Sequence, residues 1–182
     1  MSDKKGMDTE HLVRRIRLGD RDAFEEVFSM YYAKLCVFSN SYVRSLDLSR
    51  DVVQEVFIKI WDNRNDFVIT QSLKAYLYQA VRNQSLNQVN KIQSRKSAKE
   101  RFKNQKKARE EIHEQELNTE ELTQKIWRLV DEMPERRRTV FILYRKHGLS
   151  YKEIAEVMGI KRKTVENHMG HSLQFLREHL DM

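Results

Sequence analysis

The chain has one proline and five glycines in 182 residues. Sandwiches, barrels and collagen-like repeats need far more turn-forming residues, so all-β and fibrous architectures are excluded. There is a single cysteine, Cys36, which allows neither an internal disulfide nor a cysteine-based zinc cage. The longest uninterrupted apolar run is five residues, Val140 to Tyr144. A membrane-spanning helix needs roughly 20, so no direct membrane insertion is expected. The opening Met-Ser-Asp-Lys-Lys-Gly has no apolar stretch behind its charges, unlike a secretory leader. The chain is therefore expected in the cytoplasm. Neither a nucleophile–base pair nor a glycine-rich phosphate loop is legible, so an enzyme is the least favoured class and no cofactor is expected.

What the sequence does have is charge, and the charge is unevenly placed. Lys and Arg number 34 against 27 Asp and Glu, a formal net charge of +7. The stretch Lys91 to Arg109 holds nine basic residues and one acid (Glu100), which leaves 25 basic and 26 acidic residues elsewhere. Its apolar residues are few, Ile92, Ala98 and Phe102 among them, and cannot offset the entropy of ordering it. Residues 93–117 therefore read as a basic linker, and the absence of Gly and Pro allows transient helix there. It separates two candidate domains, 8–92 and 118–182, preceded by a tail, 1–7.

Both domains read as helical. Thr9 to Leu18 carries Leu12 and Ile16 and stops at Gly19, with Asp20 as the N-cap of the next helix. There, Phe24, Val27, Phe28, Tyr31, Leu35, Phe38 and Tyr42 form a helical stripe. Ser49 is the expected N-cap of a third helix, with Leu48 and Val53 as its hydrophobic staple. Val53, Val56, Phe57, Ile60 and Trp61 face one side of it; Asp51, Gln54, Glu55, Lys59 and Asp62 fall mostly on the other. After a polar loop, Asn63 to Gln71, a fourth helix is expected from about Ser72 to about Lys91. Beyond Val81 its stripe thins to Leu86 and Val89 among Asn83, Gln84, Asn87, Gln88 and Asn90, as if that half had left the core. Asn and Gln can hydrogen-bond base edges, but such a face is more often simply solvated.

The second domain is more specific. Asn118 with Glu121 suits an N-cap, and Leu122, Ile126, Leu129 and Val130 form a stripe that ends at Met133-Pro134. A second helix with Val140, Phe141, Leu143 and Tyr144 stops at Gly148. Ser150-Tyr151-Lys152-Glu153 is a capping box, followed by Ile154, Ala155, Met158 and Gly159. A last helix begins near Lys161 with Val165, Met169, Leu173, Leu176 and Leu180. Helix, tight turn and helix in this order make a helix-turn-helix, whose second member enters the major groove by its N-terminal half. Lys161, Arg162 and Lys163 are placed for phosphates. Thr164 lies beside them, and Glu166, Asn167, His168 and His171 project away from Val165 and Met169. His168 and His171 have no third ligand near them in sequence, so no metal is expected.

Several of these segments, in this order, resemble the bacterial sigma-70 factors of the extracytoplasmic-function class. Asp51 to Trp61 resembles their core-polymerase-binding helix, and Leu73 to Asn83 their promoter-melting helix. Met133 to Arg136 and Gly148 to Ala155 resemble the start and the helix-turn-helix of their fourth domain, and Thr164 to His168 its recognition helix. The resemblance implies an all-α protein of two small domains, a sigma-two-like bundle and a sigma-four-like helix-turn-helix domain. It implies that Asp51, Gln54, Glu55 and Lys59 bind the β′ clamp helices, and that the β flap is a further polymerase contact. Asn65, Thr70, Tyr76, Arg82, Asn83 and Asn87 would engage the −10 element, where a base is flipped into a pocket. Lys161, Arg162, Lys163, Thr164, Glu166, Asn167, His168 and His171 would engage the −35 duplex. An anti-sigma factor is an expected partner. Tyr76 stands where Trp is usual, and Glu166, His168 and His171 stand where many relatives carry Arg. The alternative is a dimeric helix-turn-helix regulator with an effector or dimerisation domain at its N-terminus. The acidic and amide-rich Asp51–Trp61 face argues against it, because a dimer face would be apolar.

Overall fold

The computed structural model describes residues 3–69, 72–100 and 119–180. All regular structure among them is helical, and the chain divides into two compact units, Met1–Arg101 and Phe102–Met182.

The first unit comprises α1 (Asp3–Arg17), α2 (Arg21–Val43), α3 (Leu46–Asp62), a 3₁₀ turn (Arg64–Asp66) and α4 (Leu73–Glu100). Gly19 takes the left-handed conformation at φ 83° that ends α1. Asp20 caps α2 as expected: one carboxylate oxygen accepts from the Asp22 and Ala23 amides at 3.0 and 3.1 Å, the other from Arg15 Nε at 2.7 Å. That bond to Arg15 holds the Asp20 carboxyl below its ordinary value. α3 starts one turn earlier than expected. Ser45, not Ser49, is its N-cap, and Ser49 is buried with its hydroxyl donating to the Ser45 carbonyl at 2.6 Å. With the cap moved, Leu48 and Val53 no longer flank it as a staple. Two serines four residues apart offer the same cap chemistry, and the earlier one lets Ser49 pack inside, within 3.4 Å of Asn40 Oδ1.

α2 packs against both α3 and α4. Leu35, Val53, Leu77, Tyr78 and Val81 are fully buried between them, each apolar side chain contributing about 1.5–3 kcal/mol by leaving water. An aromatic seam joins α2 to α3, with Phe24 lying 4.9 Å from Trp61 and Phe28 lying 4.9 Å from Phe57. The second half of α4 has not left the core at once. Ser85 is wholly buried and hydrogen-bonds Ser39 of α2 at 2.9 Å, a polar continuation that an apolar stripe cannot reveal. α4 also runs to Glu100, past the expected stop near Lys91, because no Gly or Pro breaks it.

The second unit comprises α5 (Thr119–Glu132), α6 (Glu135–Arg145), α7 (Tyr151–Met158) and α8 (Arg162–Leu180). The proposed cap Asn118 lies outside the described residues. Pro134 occupies the N-cap position of α6 and supplies no side-chain cap. The capping box forms: Ser150 Oγ accepts from the Glu153 amide at 3.3 Å, and Glu153 Oε2 accepts from the Ser150 amide at 2.8 Å. Gly159, at φ 63°, closes α7. Val130, Val140, Leu143, Ile154 and Val165 are completely buried. Leu122 and Leu173, expected in stripes, are 52 % and 47 % exposed. Ser172 takes the inward position on α8 instead, bonding the His168 carbonyl at 2.9 Å.

Ser85→Ala leaves the buried Ser39 hydroxyl without its partner. We expect a loss of about 1–3 kcal/mol, with the Ser39→Ala/Ser85→Ala double variant recovering part of it. Chemical denaturation of the three proteins checks this; a double variant no more stable than Ser85→Ala contradicts it.

Candidate nucleic-acid interface

The inner residues of α3 fix its rotation, and Asp51, Gln54, Glu55 and Lys59 then emerge together on its exposed face. Lys59 Nζ lies 2.8 Å from Glu55 Oε1 and donates to Gln84 Oε1 of α4 at 3.2 Å. The hydrogen bond from Lys59 holds the Glu55 carboxyl below its ordinary value. Burial pushes the Tyr32 hydroxyl of α2 above its ordinary value, with the neighbouring Gln54 side chain acting against it. Ile58, 58 % exposed on the same face, was assigned to neither face in the sequence, where polar residues alone marked the outward side.

On α4, the helical repeat of about 100° per residue places Tyr76, Asn83 and Asn87 within about 40° of one another, and all three are exposed. Arg82 does not join them. It lies about 120° from Tyr76 around the helix, half-buried, with Nε shielded and without a hydrogen-bond partner. The loop before α4 is held at both ends. The Arg64 guanidinium stacks 4.9 Å over Trp61 and donates to its carbonyl at 2.8 Å, while buried Phe67 meets the Tyr76 ring at 5.2 Å. Asn65 is exposed in the 3₁₀ turn; Thr70 lies outside the described residues. An open groove of about 330 Å³ brings Arg14 and Arg17 of α1 beside Asn65, a juxtaposition with no signature in the local sequence.

In the second unit, α7, the Gly159 turn and α8 have the expected helix-turn-helix order. Val165, Met169 and Leu176 are buried, which turns Lys163, Asn167 and His171 outward. Lys161 and Arg162 are exposed at the start of α8, and Thr164 is half-buried. Glu166 and His168 lie half-buried on the two flanks of the outward face. Glu166 is not a bare acceptor: Arg162 Nε approaches it at 3.2 Å and Lys163 Nζ at 3.6 Å. His168 is pushed below its ordinary value by burial first, then by the neighbouring charges of Arg137, His171 and Arg136.

Residues 27–95 match Sigma-70 region 2, and residues 123–176 match Sigma-70, region 4. Over 167 residues the chain is 30 % identical to the ECF RNA polymerase sigma-E factor of Escherichia coli K12, covering 87 % of this chain and 86 % of that one. The chain belongs to the ECF sigma-70 family. The ECF RNA polymerase sigma factor SigW of Bacillus subtilis is 24 % identical to this sigma factor over 92 % of this chain and 94 % of its own. In fold, it is similar to the sigma factor RpoE of Bartonella quintana, solved in complex with the anti-sigma factor NepR: TM-score 0.65, 21 % identity, 87 % of this chain and 97 % of that one. CnrH in complex with the cytosolic domain of CnrY gives a TM-score of 0.66 at 20 % identity, over 96 % of this chain and 97 % of that one. As a sigma factor, the protein binds core RNA polymerase and promoter DNA and directs promoter-specific initiation; it is not an enzyme. The dimeric-regulator alternative is not favoured. No helix among the described residues is long and apolar enough to cross a membrane.

A histidine whose folded-state value is depressed favours the fold when neutral. The unfolded chain binds its proton first, so the contribution is present above the ordinary value of 6.5 and is lost as pH falls through the lowered one. Thermal melting between about pH 7.5 and about pH 5 is expected to show a shallower acid-side loss in His168→Gln than in the parent. Identical slopes contradict the assignment.

Proposed function

We propose that the two units divide the work of initiation. Residues 8–92 bind polymerase and open the −10 element, residues 118–182 read the −35 duplex, and residues 93–117 act as a basic tether. The observation that carries this reading is that the three exposed faces sit on core helices, each rotationally fixed by its buried residues.

On the first unit, Asp51, Gln54, Glu55 and Lys59 take the β′ clamp helices, an acidic and amide face suited to a basic partner. Tyr76, Asn83 and Asn87, with Asn65 and Thr70 of the preceding loop, engage the single strand of the −10 element by stacking and amide hydrogen bonds. Arg82 stands apart from that stripe and is assigned no base contact. On the second unit, Asn167 and His171 face base edges, with Lys161, Arg162, Lys163 and Thr164 at the groove entrance and Glu166 and His168 on its flanks. The β flap is a further contact of the polymerase. Function with core polymerase on genomic promoters supports a cytoplasmic location. The fold-level likeness to RpoE, solved in complex with the anti-sigma factor NepR, supports an anti-sigma factor as a partner here.

Glu55→Lys sets two ammonium groups side by side where Lys59 now has a carboxylate. It is expected to abolish capture of core polymerase in a pull-down while the helical circular dichroism stays intact. Retention at parental strength removes Glu55 from the clamp contact. Asn167→Ala is expected to cost about 1–3 kcal/mol of −35-dependent initiation, read by run-off transcription with added core polymerase. Unchanged transcription from the cognate promoter takes Asn167 out of the readout.

A further inference from the structure

Two cations of the second unit stand outside every role assigned above. Arg136 and Arg137 lie in the first turn of α6, which packs against α8. Their neighbour Arg138 is committed, donating to the Asp131 carbonyl at 2.8 Å. Arg136 is exposed. Arg137 is half-buried, with Nε shielded from solvent and lacking a hydrogen-bond partner. A shielded guanidinium nitrogen without an acceptor is costly, and an acceptor arriving from outside the chain would remove that cost.

Three further observations point the same way. The first turn of α6 is uncapped, since Pro134 supplies no side-chain acceptor. Its leading amides therefore lack a side-chain cap, and Glu135 is the acidic residue of that turn. His168 connects this turn to the promoter-reading helix, because the charges acting on it are Arg137, His171 and Arg136, all cationic groups, and Glu135 is not among them. The two flanks of α8 also differ. On the Glu166 flank, Arg162 and Lys163 already have a carboxylate between them, at 3.2 and 3.6 Å; on the His168 flank, no described carboxylate forms an ion pair with Arg136 or Arg137, although Glu135 stands in the same turn. A helix lying in a major groove meets a phosphate rail on either side.

We infer that Arg136 and Arg137 hold adjacent backbone phosphates of the duplex that α8 reads, on its His168 flank, and that they anchor this unit more than Arg162 and Lys163 do. The inference rests on the reading of α8 as the −35 helix. The ligand is a phosphodiester backbone without regard to sequence, so these arginines set where the helix sits rather than which bases it prefers.

The test uses holoenzyme reconstituted from core polymerase and the full chain, on a genomic promoter fragment recovered by run-off transcription, with affinity measured across a salt series. Each lost phosphate contact lowers the slope of log affinity against log salt by about 0.9. Arg136→Gln/Arg137→Gln is expected to lower it by about 1–2, Arg136→Lys/Arg137→Lys to preserve it, and Arg162→Gln/Lys163→Gln to lower it by less. Arg136→Gln alone, at an exposed position, carries the test if the double variant melts early. An unchanged slope in the arginine variants while Asn167→Ala still weakens binding overturns the inference and leaves the reading of α8 standing. An equal or larger fall for Arg162→Gln/Lys163→Gln overturns it as well. If Asn167→Ala and the arginine variants are all without effect, the reading of α8 itself fails and the inference fails with it.

Discussion

Each of the three helical faces proposed to meet a partner belongs to a helix that is also part of a core, and the packing of that core sets the rotation of the helix. Val165, Met169 and Leu176 must be inside, so Asn167 and His171 must be outside. Leu73, Leu77 and Val81 must be inside, so Tyr76, Asn83 and Asn87 share the outer stripe. A rotation of one residue, about 100°, would expose the apolar set and bury amides without partners. The binding faces are thus held in place by apolar burial, which acts without regard to what they bind.

The two faces of the first unit are also joined directly. One ammonium group, Lys59 Nζ, touches Glu55 on the α3 face and Gln84 at the edge of the α4 stripe. Exposed ion pairs contribute little to stability, so this bridge matters less for holding the fold than for fixing how two exposed side chains are presented. Outside Lys91–Arg109 the charges nearly balance. On the proposed reading, recognition by the folded units depends on where single groups stand, and much of the sequence-blind attraction to nucleic acid would come from Lys91–Arg109.

Much of this was legible in the sequence, for a physical reason. Capping chemistry is local, so Asp20, Ser150 with Glu153, and Gly159 announced their roles from neighbours within three or four residues. Apolar periodicity is local too, and it located the helices and the outward positions of α8. It failed where packing is polar or where two local solutions compete. Ser85 and Ser172 sit inside because hydroxyls found partners across helices or one turn back, and Ser45 displaced Ser49 because the second serine packs better than it caps. The charge state of α8 was also hidden. The sequence assigned Arg162 and Lys163 to phosphates and Glu166 to the reading face, and did not show that both cations would turn to Glu166. Arg136 and Arg137 carry no local sign that α6 brings them beside His168.

The uninterrupted length of α4 has a consequence of its own. Its 28 residues extend about 42 Å at 1.5 Å per residue, and among the described side chains the last wholly buried one is Ser85. About 22 Å of rod follows that residue. A rod transmits angle as well as distance. Deleting one residue between Lys91 and Ser94 would pull in whatever follows Glu100 by only about 1.5 Å, yet swing it about 100° around the axis, whereas a coil would absorb the same deletion unnoticed. The far end of α4 is thus geared to the core of its own unit like a crank, and lineages of this protein should tolerate length changes there in whole helical turns more readily than in single residues.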